Sequence, residues 1–242
     1  MSHMRSAPLS GTQVDPLYPD SDGRPMGDTD LHSDALIWLR QALQDYYAAV
    51  PDVYVASNII MYYKQGDPKS RRDPDVLVAK GVGKHRRRAF RLWEEKVVPC
   101  VLFEIASKDT WRVDLHDKPV EYAGIGVKEY FVFDPEGAYL DPVLQGFRTV
   151  KAKPVRMKPA PDGSLVSKQL GLRLLPEGGM LRLIEVETGE PILTRNERNE
   201  RSEQRAVQAE QRAEQERQRA EALEAELRRL RASQAEGESD NA

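Results

Sequence analysis

Val97-Val98-Pro99-Cys100-Val101-Leu102-Phe103-Glu104-Ile105-Ala106 is a long apolar run with a single carboxylate inside it. Runs of this kind suit a central strand covered on both faces. A carboxylate on such a strand is costly to bury unless it is paired, hydrogen-bonded or holding a cation. The stretch therefore implies a layered sheet and a polar site built on it.

Working upstream, Asp75–Ala79 reads as a second buried strand, with Asp75 at its head in Arg71-Arg72-Asp73-Pro74-Asp75-Val76-Leu77-Val78-Ala79. Val53–Ala56 and Ile59–Tyr63 are rich in β-branched and aromatic residues, with a bend or bulge expected at Ser57-Asn58. Before them, Leu31–Ala49 reads as a helix capped by Thr29 or Asp30, with Leu31, Ala35, Leu39, Leu43 and Tyr46 on one face. Downstream, Val120–Ala123 falls in a short helix ended by Gly124 and Gly126. Glu129–Asp134 is another buried strand, stopped by Pro135 and Gly137. From Gln145 to Leu183, short strand-like pieces with turns at Pro161-Asp162-Gly163 and Glu177-Gly178-Gly179 suggest an antiparallel addition.

The fold class expected is α/β, a mixed sheet flanked by helices, followed by a long C-terminal helix. Residues 1–27 are an irregular lead-in, 28–192 the folded domain, 196–233 a charged helical tail and 234–242 a disordered end. Between Asn196 and Ser233 there is no Gly or Pro, and Ala, Glu, Gln and Arg dominate. Positions 202, 206, 209, 213, 216, 220, 223, 227 and 230 form a heptad seam, best at Leu223, Leu227 and Leu230. Glu216 and four alanines weaken it, so two readings stand: an oligomeric coiled coil, or a solvated single helix held by charge pairs.

Charge separates the two parts. The tail from Asn196 carries nine Arg and twelve acidic residues, which leaves 27 basic and 27 acidic residues before it. A neutral body lacks the overall basic signature of a nucleic-acid binder, and a local patch is needed instead. Cys100 is the only cysteine, which excludes an intramolecular disulfide and a cysteine-based zinc cluster. With no apolar run of about 18 residues and no apolar leader, the sequence reads as cytoplasmic and without a membrane span.

Asp75 and Glu104 on neighbouring strands, with Lys118 following in Asp114-Leu115-His116-Asp117-Lys118-Pro119, suit metal-dependent phosphodiester hydrolysis. Mg²⁺, or Mn²⁺, takes hard oxygen ligands, typically one or two carboxylates with waters and substrate phosphate. The Ile105 backbone carbonyl is a third candidate ligand. Lys118 could position or deprotonate water, or stabilise developing negative charge. Pro119 is tolerated only in a helix's first turn, so that helix should start near Asp117 rather than Asp114.

The order strand-Asp, about thirty residues, strand-Glu, then lysine resembles the PD-(D/E)XK nuclease superfamily. The combined string is more specific. Pro74-Asp75-Val76-Leu77-Val78, Glu104-Ile105-Ala106-Ser107, Asp114-Leu115-x-x-Lys118-x-x-x-Tyr122 and Gly126-Val127-Lys128-Glu129-Tyr130-Phe131-x-x-Asp134-Pro135 together resemble the Uma-type family of restriction endonucleases over roughly residues 20–190. That resemblance implies a restriction-endonuclease-like core with Asp75 and Glu104 as metal ligands and Lys118 as the catalytic lysine. Ala106 stands two residues after Glu104, where the superfamily usually has lysine, and Lys118 from the following helix would replace it.

Each supporting residue has a plainer reading. Ser107 can cap a turn, Asp114 a helix, and His32 can be a surface imidazole beside Asp30. Tyr122 reads as core, and Asp134 as a strand end. Lys80–Arg91 is the one dense basic cluster, and Lys84, Arg86, Arg87 and Arg88 are its candidates for phosphate contact near the site's rim. DNA is the expected partner, with homo-oligomer formation through the tail. The competing reading is a catalytically inactive nuclease-like module that assembles through its coiled-coil tail. A nuclease of RNA or of branched or damaged DNA would use the same site. No motif reads a target sequence.

Overall fold

The computed structural model describes residues 17–19 and 29–239, with side chains undescribed at 222 and from 224 onward. The chain divides into two units, residues 1–192 and 193–242.

The centre of the first unit is a six-stranded mixed sheet. Its members are β1 (Val53–Ser57), β4 (Val76–Lys80), β6 (Val101–Ile105), β7 (Glu129–Phe133), β8 (Leu144–Val150) and β9 (Lys153–Arg156), in the order β1-β4-β6-β7-β8-β9. β4 pairs antiparallel with both β1 and β6, while β6 and β7 run parallel. The central strands are buried except at Lys80, the last residue of β4, as their continuous apolar sequences require.

Alternation sorts side chains to the two faces. Val76, Val78, Val101, Phe103 and Phe131 meet α1 (Asp30–Tyr46) through Leu39 and Leu43. The same face meets a three-stranded antiparallel sheet of β10 (Leu165–Ser167), β11 (Leu172–Glu177) and β12 (Met180–Glu185) through Leu172, Leu174 and Leu183. Contact there is close: a Cβ on Gly146 would lie 2.7 Å from Met157, 2.8 Å from Leu165 and 2.9 Å from Phe131. The opposite face carries Leu77, Leu102 and Val132 under Tyr122 and Val127.

A small sheet joins β2 (Met61–Tyr62), β3 (Arg71–Arg72) and β5 (Phe90–Arg91), followed by the short α2 (Leu92–Glu95). Tyr18 of the lead-in packs on it, 5.0 Å from the Tyr62 ring and 5.1 Å from Trp93. Residues 1–16 and 20–27 of the lead-in lie outside the described residues.

Four expectations are corrected. Asn58 adopts φ +48°, so the chain leaves the main sheet there, and β2 belongs to a different sheet rather than continuing β1 past a bulge. In α1, Thr29 is the cap, accepting from the His32 N–H, and Leu31 is exposed while His32, Leu36 and Ala42 join the buried face. The helix ends at Tyr46, where the turn tightens and the Ala48 N–H bonds the Asp45 carbonyl at 3.1 Å, and Lys84 Nζ takes up the carbonyls of Tyr47 and Ala48. Gly124 lies within the second of two helices, α3 (Trp111–His116) and α4 (Lys118–Ile125), and only Gly126, at φ +104°, ends it.

The second unit is α5 (Arg195–Ser239), which continues past residue 233 into the segment expected to be disordered. Val207 and Leu223 are exposed on it, at 53% and 61%. Leu227 and Leu230, the end of the heptad seam, carry no described side chains. Among the described residues no helix is long and apolar enough to cross a membrane.

Candidate active site

Pro119 explains how the lysine reaches the sheet. It has no N–H to bond the carbonyl four residues back, so the helix breaks into α3 and α4, with Asp117 as the α4 cap and Pro119 in its first turn. The break leaves Asp114 near the end of α3 and Lys118 at the start of α4. Both side chains are aimed at the β6 strand.

Lys118 Nζ lies 2.9 Å from Glu104 Oε1 and 2.6 Å from Asp114 Oδ1. Glu104 is 3% exposed and Asp114 1%. Tyr122, one turn after Lys118, donates its hydroxyl to Glu104 Oε1 at 2.9 Å. Asp75 sits at the head of β4, and its Oδ2 accepts the Ile105 N–H at 2.6 Å. Val76 is opposite Phe103 in the β4–β6 ladder, which brings Asp75 beside the Glu104–Ile105 peptide. Tyr130 completes the floor by donating to the Asp114 carbonyl at 2.8 Å.

The electrostatics follow from three carboxylates and one ammonium in a desolvated corner. Burial raises the Glu104 carboxyl to about 8, against the pull of Lys118 and with the push of Asp75 and Asp114. Burial alone would lower Lys118, but Glu104 and Asp114 outweigh it and raise it, so the ammonium is retained. Burial, then Glu104, holds the Tyr122 phenol well above its ordinary value, so it acts as a donor. With all four groups ionised the corner carries a net charge of two negative, and Asp114 Oδ2 is buried without a hydrogen-bond partner.

These residues fit a divalent cation in donor type and charge, since all the donors are hard oxygens. Among the described residues no three His, Cys, Asp or Glu side chains form a ready metal cluster. Lys118 stands between Glu104 and Asp114, which leaves Asp75, Glu104 and the Ile105 carbonyl as the ligands to consider.

Asp75, Glu104, Lys118 and Asp114 are thus brought together. Tyr122 was expected only as core packing; its position four residues after Lys118, on the same helix face, is the signal that finds it. His32 and Ser107 are placed elsewhere, in a cleft of about 260 Å³ with Thr29, Asp109, Glu136 and Tyr139. That cleft lies at the carboxyl ends of the parallel strands β6 and β7, and Ala106, two residues beyond Glu104, forms part of its wall. His32 is buried rather than a surface imidazole. Ser107 shares a hydrogen bond with Thr110 at 2.9 Å. Asp134 organises the turn after β7, accepting from the N–H groups of Glu136, Gly137, Tyr139 and Leu140.

The basic run divides. Lys84 is committed to the end of α1. Arg87 is bidentate to Glu95, at 2.6 and 2.8 Å, and lies 4.2 Å over the Tyr54 ring. It is therefore a structural cation and not an open phosphate contact. Arg86 and Arg88 are exposed.

A family model described as "Uma2: Putative restriction endonuclease" matches residues 21–176. A crystal structure titled as a putative nuclease belonging to DUF820, from Anabaena variabilis, superposes with a TM-score of 0.49 at 14% identity, covering 64% of this chain and 83% of that one. No curated protein matches. With the family model spanning more than half of its length, the chain belongs to the Uma2 family of putative restriction endonucleases.

Proposed function

We propose that the protein is a Mg²⁺- or Mn²⁺-dependent endonuclease that hydrolyses DNA phosphodiester bonds at the Asp75, Glu104 and Lys118 corner. The observation that carries this reading is the convergence of the two strand carboxylates with Lys118 on one face of the sheet. The cation, held by Asp75, Glu104 and the Ile105 carbonyl, would supply Lewis-acid activation of water and phosphate.

The chain's own groups have distinct tasks. The Ile105 N–H fixes the Asp75 carboxylate. Tyr122 and Lys118 both hold Glu104 Oε1, which turns that carboxylate to one orientation. Lys118 keeps its proton at neutral pH, so its task is to stabilise negative charge on the phosphate rather than to act as a base. We further propose that α5 pairs with a second copy through the Leu223 end of its heptad seam, presenting two sites to a duplex. A cytoplasmic location accords with this substrate.

Plasmid cleavage with purified protein tests the assignment. Metal-dependent cutting should vanish in Glu104→Ala and Lys118→Ala, with native circular dichroism kept. Cutting retained in both variants overturns it.

A further inference from the structure

A groove of about 780 Å³ runs along the outer edge of β1. Its walls carry Arg40, Lys84, Arg86, Arg87 and Arg88, and among the described residues no Asp or Glu lines it. The body before Asn196 holds equal numbers of basic and acidic residues, so this groove is a local concentration of positive charge. We infer that it holds the phosphates of one strand of duplex DNA and leads that strand to Asp75. The inference rests on the nuclease reading for its destination and on the groove's own charge for its occupant.

Lys84 bonds the carbonyls at the end of α1 and keeps its charge, whereas Glu95 neutralises Arg87, which only shapes the wall. Arg40, from α1, and Arg86 and Arg88, from the loop after β4, are exposed on opposite lips. Guanidinium groups match phosphate oxygens bidentately. The lining extends from Val53 to Ile59, and five strand residues span roughly 17 Å, a length over which one strand of a duplex presents about five phosphates along its axis.

The far end gives the direction. Ser57 is opposite Val76 in the ladder, and the Asn58 N–H donates to the Asp75 carbonyl at 3.3 Å. A strand followed to that end arrives one residue from the site's first carboxylate. Phosphate contacts carry no sequence information, in keeping with a chain that lacks a base-reading motif.

A second copy of the chain is a poorer occupant for this edge. Gln44 Nε2 already covers the Val55 carbonyl at 3.1 Å, and two copies meeting here would set Arg40, Lys84, Arg86 and Arg88 against their own counterparts.

The test is binding of a short fluorescent duplex by the full chain in EDTA, over a range of salt. The expected result is a salt slope flatter by about 2 to 3 in Arg40→Ser/Arg86→Ser/Arg88→Ser, with weaker binding at each salt. The triple Arg→Lys variant should keep the parent slope. Parent-like slope and affinity in the serine variant, with unchanged melting, overturn the inference, as does absence of duplex binding by the parent. If the triple variant does not fold, Arg86→Ser alone should flatten the slope by about 1, and no change there is equally contrary. Loss of the nuclease reading would appear only in the cleavage assay and would leave these slopes as they are.

Discussion

Asp114 and Lys118 face each other across the break between α3 and α4, carboxylate to ammonium at 2.6 Å. The contact fixes the Lys118 ammonium in the corner. Without Asp114, Lys118 would have only Glu104 to hold it. Glu104 still pairs with the ammonium at 2.9 Å, so the loss is that of one buried charge-assisted bond, about 1.5–3 kcal/mol. Asp114→Ala should therefore lower stability by about that much in urea unfolding, and Asp114→Asn by less. A loss under about 1 kcal/mol in Asp114→Ala would show that the pair is solvated rather than buried.

Tyr122→Phe removes a single hydroxyl. The ring still packs on Tyr130, whose centroid is 5.1 Å away, so the loss isolates the bond to Glu104. Glu104 Oε1 keeps Lys118 Nζ, so the cost is that of one hydrogen bond, about 0.5–1.5 kcal/mol. Denaturant midpoints should fall accordingly, and the catalytic rate should fall more than the affinity for DNA, because Glu104 loses its fixed orientation while the groove is untouched.

The Glu104 carboxyl gives a pH prediction with a definite sign. Its folded value, about 8, stands above the ordinary 4.5. The folded state therefore holds a proton that the unfolded chain releases. Its stabilisation is complete below about 4.5 and is lost as pH rises to about 8. The melting temperature should decline across that window, and Glu104→Gln should remove much of the decline. A parent and variant with parallel pH profiles would contradict the burial argument.

Gly146→Ala tests the contact between the two sheets. The added methyl would lie under 3.0 Å from Met157, Leu165 and Phe131, all in packed surroundings. Overpacking of this kind costs about 1–3 kcal/mol. A melting temperature equal to that of the parent would mean that β8 and β10 can move apart.

The central strands were legible because β4, β6 and β7 are covered on both faces and so read as unbroken apolar runs. Asp75 and Glu104 stood out for the same reason. What the sequence hid depends on partners far along the chain. Asp114 resembles an ordinary cap until Lys118 and burial are seen. Tyr122 reads as core because its ring is core, and only its hydroxyl is polar. Arg40 lies in a helix, with nothing local to tie it to Arg86 and Arg88 across the β1 edge. Asn58 looked like a bulge, but its left-handed backbone sends the chain into another sheet. Arg87 was counted with its neighbours as a phosphate contact because Glu95, which binds it, lies beyond the run.

The most direct measurement is calorimetric titration of Mg²⁺ into the parent chain and into Glu104→Ala. The account predicts saturable binding in the parent and none in the variant, with both folded. Equal binding in the two would contradict a metal site at Asp75 and Glu104.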